Sequence, residues 1–245
     1  MSKAAGVETV HIPARSGPAK PKPTTTRRVS HNLNGQRLGK KGRDTRDRIL
    51  AATVAVLQSE EDSGVSLSEV ARRASLGMTS IYSYFADLTE LLLAVLEPVA
   101  AEAEASYLKM LREPWPDEEL GERSAMFVSA FHDFWQRHTR ILHLRNTMSD
   151  RQDARMMAHR VRSAQPVIRN IIRQMGHDPK VVKTSAAGMA TVLYTGIERM
   201  IAVVTDRTLA KVVPGEFAPD VAHFLEAEAR LLELGIREYR RSAQR

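Results

Sequence analysis

Between Gly77 and Ala86 the chain reads Met78-Thr-Ser-Ile-Tyr-Ser-Tyr-Phe85, eight residues of which five carry a hydroxyl. Hydroxyls donate and accept without carrying charge, so Thr79, Ser80, Tyr82, Ser83 and Tyr84 together offer a surface for phosphate oxygens and base edges. Ile81 and Phe85 stand four apart and give the same segment one apolar side to hold it against a core.

Other chemistry finds little support. The chain has no cysteine, which excludes disulfides, thiolate metal sites and thiol nucleophiles. His132, His138, His143 and His159 are scattered and form no His-Glu-x-x-His run, so no metal site is expected. His132 beside Asp133, or Asp206 beside Arg207, suggests acid–base work only weakly. No nucleophile elbow, phosphate-binding glycine loop or carboxylate pair accompanies them. The expectation is a protein that is not an enzyme and uses no cofactor.

Something must position that hydroxyl-rich segment. Ahead of it, Asp44 to Gln58 places Ile49, Ala52, Thr53, Val56 and Leu57 on one helical face, with Asp44 or Thr45 as cap. A polar break follows, and Ser66 then stands three residues before Glu69 as a capping box. The short helix it opens, ending at Ala74, carries Leu67, Val70 and Ala71 inward. Ser75-Leu76-Gly77 makes a tight turn into the hydroxyl-rich helix, expected from Met78 to Phe85. A supporting helix and two short helices joined by a turn form a helix-turn-helix, whose second helix enters a major groove. Leu88 to Leu96 continues the fold, and Pro98 need not end that helix, which can run on kinked to Leu111. Further helices are expected at about 117–138, 140–148, 152–175, 179–204 and 219–241. No alternating strand pattern or solenoid repeat occurs, so the fold class is all-α.

Charge is distributed unevenly. Residues 1–43 hold ten Lys/Arg against Glu8 alone, a net +9, which leaves −2 for residues 44–245 out of the total of +7. With four prolines and little apolar periodicity, residues 1–43 are expected to be a disordered basic arm. Arg37, Lys40, Lys41 and Arg43 are its candidates for phosphate contact. Residues 44–96 form the helix-turn-helix domain and 97–245 a larger helical domain.

Three stretches resemble the tetracycline-repressor (TetR) family of transcriptional regulators: Thr45-Arg-Asp-Arg-Ile-Leu-Ala-Ala-Thr53, Val65-Ser-Leu-Ser-Glu-Val-Ala-Arg-Arg-Ala74 and Leu76-Gly-Met-Thr-Ser-Ile-Tyr-Ser-Tyr-Phe85. The resemblance covers about residues 45–96. It implies a phosphate-meeting hydroxyl at Ser66 and its match at Ser80, and aromatic rings reaching the backbone at Tyr82 and Tyr84. Base-reading positions fall at Met78, Thr79 and Ser83, with Ser68 a further candidate. Two residues depart from the family pattern. Leu88 stands where a lysine often anchors the next helix, leaving Asp87 to cap it, and Ser75 stands where glycine is common.

The resemblance further implies a two-fold homodimer on a double-stranded, pseudo-palindromic DNA operator, and a small-molecule effector bound in the larger domain. On the residues themselves, Phe127, Phe131, Phe134, Trp135, Met175, Met189 and Tyr194 are the richest aromatic and methionine set and the candidate pocket, although such spacing also suits plain core. Ala187, Gly188, Val192, Phe224, Leu225 and Leu232 are candidates for the dimer interface, where small residues permit close helix approach. A repressor is the expected sign of regulation. The alternatives are a ligand-independent DNA-binding or architectural protein, and a helical enzyme or interaction module with a structural helix-turn-helix. No window approaches the apolar run of a membrane span and no apolar leader opens the chain, so a cytoplasmic protein with no membrane partner is expected.

Overall fold

The computed structural model describes residues 33, 35, 37–59, 64–181, 183–214 and 220–243. Most of the expected basic arm, Val182 and the expected start of the last helix at 219 lie outside these residues.

Eleven helices and no strand occur among the described residues, the all-α fold expected. The first, α1 (Lys40–Gln58), buries Ile49, Ala52, Thr53, Val56 and Leu57, the five positions its periodicity selects. It begins four residues before Asp44, so Lys40 to Arg43 are helical and the expectation of a disordered segment reaching residue 43 is corrected. The cause is Leu38, which is buried and whose carbonyl accepts from Nη1 of Arg43 at 2.7 Å. A buried apolar residue just before the first turn fixes the entry of the chain, as in a hydrophobic staple. Gly39 is the N-cap, so neither Asp44 nor Thr45 caps, and the Thr45 hydroxyl donates to the Lys41 carbonyl instead.

The pair α2 (Leu67–Arg73) and α3 (Met78–Tyr82) follows. Val70, Ala71, Ala74, Ile81, Phe85 and Leu91 join Ile49, Ala52 and Val56 in a small core beneath them. Then α4 (Leu88–Ala105) runs without a break through Pro98. Leu91 belongs to the small core, while Leu92, Val95 and Leu96 belong to the large one. One helix therefore serves both units, and the expected boundary at 96/97 falls inside it.

The larger unit comprises α5 (Tyr107–Met110), α6 (Leu120–Arg137), α7 (Thr139–Asp150), α8 (Ala154–Gln174), α9 (Ser185–Val204), α10 (Leu209–Val212) and α11 (Val221–Ala243). The helices α6, α9 and α11 pack on one another, and α8 lies between α7 and α9. Close approach of α9 and α11 depends on Gly235, where a Cβ would stand 2.7 Å from Cδ1 of Leu193. By length and composition α9 is the one described helix able to cross a membrane. Its inward residues Ala186, Ala190, Tyr194, Ile197 and Ile201 are buried in the large core.

Candidate nucleic-acid interface and interior cavity

Ser66 holds the start of α2, its Oγ accepting from the Glu69 N–H at 3.2 Å. The expected capping box is half formed. The Glu69 carboxylate turns to Arg72, which donates through Nε at 2.9 Å, and that hydrogen bond keeps the Glu69 carboxyl below its ordinary pKa. At the other end α2 closes in a Schellman turn: the Leu76 N–H reaches the Ala71 carbonyl at 2.9 Å and the Ser75 N–H reaches that of Arg72 at 3.2 Å. The turn requires the left-handed region, and Ser75 adopts it at φ 50° where glycine is favoured.

The turn presents α3 with Ile81 and Phe85 fully inward and Tyr82 51% exposed. Thr79 and Ser68 are exposed, whereas Ser66, Ser80, Ser83, Met78 and Tyr84 are half-buried. Met78 and Tyr84 also pack on the small core. The Ser83 hydroxyl donates to the Thr79 carbonyl at 3.0 Å, and Ser66 and Ser68 share a hydrogen bond between their hydroxyls. The helix is one turn long and ends at Tyr82, with Ser83 as C-cap, rather than at Phe85.

Basic residues stand beside this face. The Leu33 N–H donates to the Ser83 carbonyl at 3.1 Å, which lays the incoming chain along the end of α3. A Cβ on Gly42 would stand 3.7 Å from the Tyr84 hydroxyl, so the first turn of α1 abuts that ring. Arg37, Lys40, Lys41 and Arg43 are all exposed there, and no acidic residue occupies the first turn of α1. Cations at a helix N-terminus oppose its dipole, so this end concentrates positive potential at a cost to the helix itself.

The start of α4 is tied to the larger unit rather than freed for a ligand. Asp87 caps α4 by accepting from the Glu90 N–H at 2.9 Å and pairs with Arg155 at 2.8 Å. Thr89 donates to Asp153 at 2.6 Å, and Asp153 in turn caps α8 through the N–H groups of Arg155 and Met156, each at 3.0 Å. The Thr89 hydrogen bond is the main cause holding the Asp153 carboxyl below its ordinary range. For Asp87, burial pushes the carboxyl up, and the Arg155 and Glu90 contacts outweigh it, so its pKa is also lowered.

Inside the larger unit lies a cavity of about 260 Å³ between α4, α5, α6, α7 and α8. Of the seven residues expected to line a pocket, Phe134 alone does so. Phe127, Phe131, Trp135, Met175 and Tyr194 are core, and Met189 is half-buried against it. Their spacing along α6 makes an aromatic stack, with Phe127 and Phe131 parallel at 6.0 Å and Tyr107 edge-on to Phe131 at 4.7 Å. Packed rings leave no space, so the expectation of a pocket among them is corrected.

The cavity instead has apolar walls that include Leu96, Val99, Ala103 and Leu142, with Tyr107, Arg145, His159 and Arg162 as polar groups. Arg145 is buried against Glu198 at 3.0 Å, each side chain 5% exposed, and its guanidinium lies over the Trp135 ring. Glu198 is shared with Arg160 at 3.1 Å. Burial, then Arg145 and Arg162, depress His159 to about 4, so its ring is neutral near pH 7. The lining residues are spread over five helices, and no local spacing in the sequence signals them.

The candidate interface residues on α9 and α11 divide between inside and outside. Leu232 is fully buried and Ala187 nearly so, which removes both from any surface contact. Gly188 is exposed, Leu225 packs against the core, and Val192 (68%) and Phe224 stand exposed with Leu231 and Leu234. Leu231 lies one residue and Leu234 two residues from the candidate Leu232. Among the described residues, no group of three or more His, Asp or Glu side chains is placed to hold a metal ion.

No protein-family model matches the chain, and no curated protein matches it. Among solved structures it is similar to a TetR family transcription regulator from Marinobacter aquaeolei VT8, at 18% identity and TM-score 0.46, covering 80% of this chain and 97% of that one. It is also similar to a protein from Mesorhizobium loti MAFF303099 described as a TetR-family transcriptional regulator. There the identity is 14% and the TM-score 0.46, over 82% of this chain and 97% of the other.

Proposed function

We propose that this chain is a DNA-binding transcriptional regulator of the TetR type, acting as a dimer whose affinity for an operator is set by a small molecule in the larger domain. One observation carries the reading. Thr79 and Tyr82 of α3 face solvent, and Tyr84, just beyond α3, lies beside the first turn of α1, where Lys40, Lys41 and Arg43 are exposed. That arrangement is costly to the helix unless an anion compensates it, and a polyanion groove supplies both phosphate and base edges. Tyr82, Thr79 and Ser68 are the side chains free to reach DNA, with Ser66, Ser80 and Tyr84 at the edge of contact.

The apolar face of Val192, Phe224, Leu231 and Leu234 supports pairing with a second copy through α9 and α11, since a contiguous exposed apolar patch marks an interaction surface. A two-fold pair presents two α3 helices to half-sites about one helical turn apart. The links Asp87–Arg155 and Thr89–Asp153 join α4 to α8, and α8 borders the cavity. A ligand that prefers one position of α8 thereby biases the placement of α3, as far as its affinities for the two states differ.

The test is selection of genomic fragments by the purified protein, with affinity followed against salt and Tyr82→Ala beside the parent. Selective binding that falls steeply with salt, a loss of roughly tenfold or more in the mutant, about 1.4 kcal/mol, and a dimer by sedimentation are expected. Unselective binding indifferent to Tyr82→Ala overturns the regulator reading, and a monomer overturns the dimer.

A further inference from the structure

The cavity holds a cation that its own protein only partly satisfies. Nε and Nη2 of Arg145 donate to Asn146, and Nη2 also to Glu198, while Nη1 makes no hydrogen bond with any described residue. The guanidinium carbon lies 5.8 Å from the Trp135 ring centroid. Glu198 is shared, its second oxygen accepting from Arg160. Arg162 also lines the cavity, is exposed, and makes no ion pair or hydrogen bond with any described residue. The only carboxylate on the cavity wall, Glu104, is exposed and paired with Arg112.

Balance these charges at neutral pH. His159 is uncharged, and Tyr107 stays protonated because burial raises its pKa. Its hydroxyl donates to no described residue, which leaves a donor on the same wall. One buried guanidinium edge, one cation nearer solvent and one phenol then face walls of Leu96, Val99, Ala103, Leu142 and Phe134. A guanidinium edge that opens onto the cavity with no protein acceptor is available to an anion, and guanidinium edges match carboxylate oxygens.

We infer that this cavity binds an organic acid, a monocarboxylate with a compact hydrocarbon or aromatic body, its carboxylate held between Arg145 and Arg162 and its body against the apolar walls. Glu198 and Asp150 set against Arg145, Arg160 and Arg162 leave one net positive charge, which a single carboxylate balances and a phosphate dianion exceeds. The volume lies just below the range of about 300–1,000 Å³ usual for drug-sized ligands, which favours a small acid over a long-chain or nucleotide-bearing one. The inference rests on the effector reading above and names the class of effector.

The full-length protein is titrated with benzoate and octanoate, and with benzamide and octanamide as neutral counterparts. Binding is followed by calorimetry and by tryptophan fluorescence, to which Trp135 beside Arg145 contributes. At least one acid binds saturably, and its amide binds tenfold or more weaker. Arg145→Met abolishes the difference between acid and amide, and Arg162→Gln reduces it several-fold. Arg162→Gln alters an exposed side chain, so it decides the matter if Arg145→Met does not fold. Equal binding of acid and amide, binding of neither acid, or an unchanged acid preference in Arg162→Gln overturns the inference. The same compounds added to the protein–operator complex separate the two readings. Acid that binds without changing DNA affinity keeps the ligand class and overturns the effector role. Release of DNA by the amides, with the acids inert, keeps the effector role and overturns the ligand class.

Discussion

Around α3 the core of Ile49, Val70, Ile81 and Phe85 is inert packing and the chemistry lies on the side chains turned outward, whereas around α8 the chemistry lies inside, on Arg145, Tyr107 and their neighbours. The outward kind is the complement of an apolar stripe. Once Ile81 and Phe85 are assigned inward, Thr79 and Tyr82 have only the solvent side left. The inward kind is a convergence. Residues from α4 to α8, spanning 96 to 166 in the chain, meet at one cavity because of how helices pack. Two regions of one chain can thus be unequal in how they are written, one in spacing and the other in tertiary contact.

The sharpest way to break this comparison is to damage each core. Phe131 touches Tyr107, Phe127, Trp135 and Tyr194 in the large core. Phe131→Ala should cost about 3–5 kcal/mol, read as a lower melting temperature. Phe85→Ala should cost a similar amount locally, but in the small core. Both tryptophans, Trp115 and Trp135, belong to the large core, so fluorescence reports that unit alone while circular dichroism reports all helices. In Phe85→Ala the two signals should separate, with helix lost before fluorescence changes. Coincident transitions would mean that α4 makes the two cores one cooperative unit, and the comparison would fail.

Much of the fold was legible for the same reason that α3 was. The five buried positions of α1, the Ser66 cap and the inward Ile81–Phe85 pair all follow from local spacing. What local spacing missed has identifiable causes. Charge counting hid Leu38, the single buried anchor that extends α1 back to Lys40. An aromatic-rich run on α6 suits a pocket and a plain core alike, because both draw on the same residue types, and only packing tells a filled volume from an empty one. On α11 the candidate Leu232 is buried and its neighbour Leu231 exposed, a one-residue phase that periodicity in a long, doubly apolar helix does not resolve.

A middle-sized effect probes the junction between the two regions. Asp153→Ala removes the cap of α8 and the acceptor of the Thr89 hydroxyl together. The cap alone is worth about 0.5–2 kcal/mol. Thr89→Val removes only the link and leaves the cap. Both should weaken the effect of a ligand on DNA affinity, and Asp153→Ala alone should lower stability appreciably. Linkage gives the junction a pH sign. The carboxyls of Asp87 and Asp153 are depressed in the fold, so their contribution is complete above the ordinary carboxylate range and is lost as pH falls through the lowered folded values. Acid titration of Asp153→Ala should therefore show a shallower loss of stability than the parent; an identical profile would remove Asp153 from the account.

The smallest effect bears most directly on the turn. Three helices end in the same Schellman geometry, α8 with Gly176 at φ 80°, α2 with Ser75 at φ 50° and α7 with Gln152 at φ 69°. A side chain in the left-handed region costs roughly 1–2 kcal/mol, while replacing it with glycine frees the unfolded chain by about 0.4–1 kcal/mol. The first term is the larger, so Ser75→Gly and Gln152→Gly should each stabilise by about 0.5–1 kcal/mol, measured by denaturant unfolding. The two sites then part company. Gln152 closes a turn next to the Asp153 junction, whereas Ser75 sets the angle at which α3 leaves α2. If the angle is fixed by the hydrogen bonds of Leu76 and Ser75 to Ala71 and Arg72, Ser75→Gly stabilises without changing operator affinity. If affinity falls as stability rises, the serine itself restrains the turn, and the outward chemistry of α3 depends on backbone strain as well as on the hydroxyls it displays.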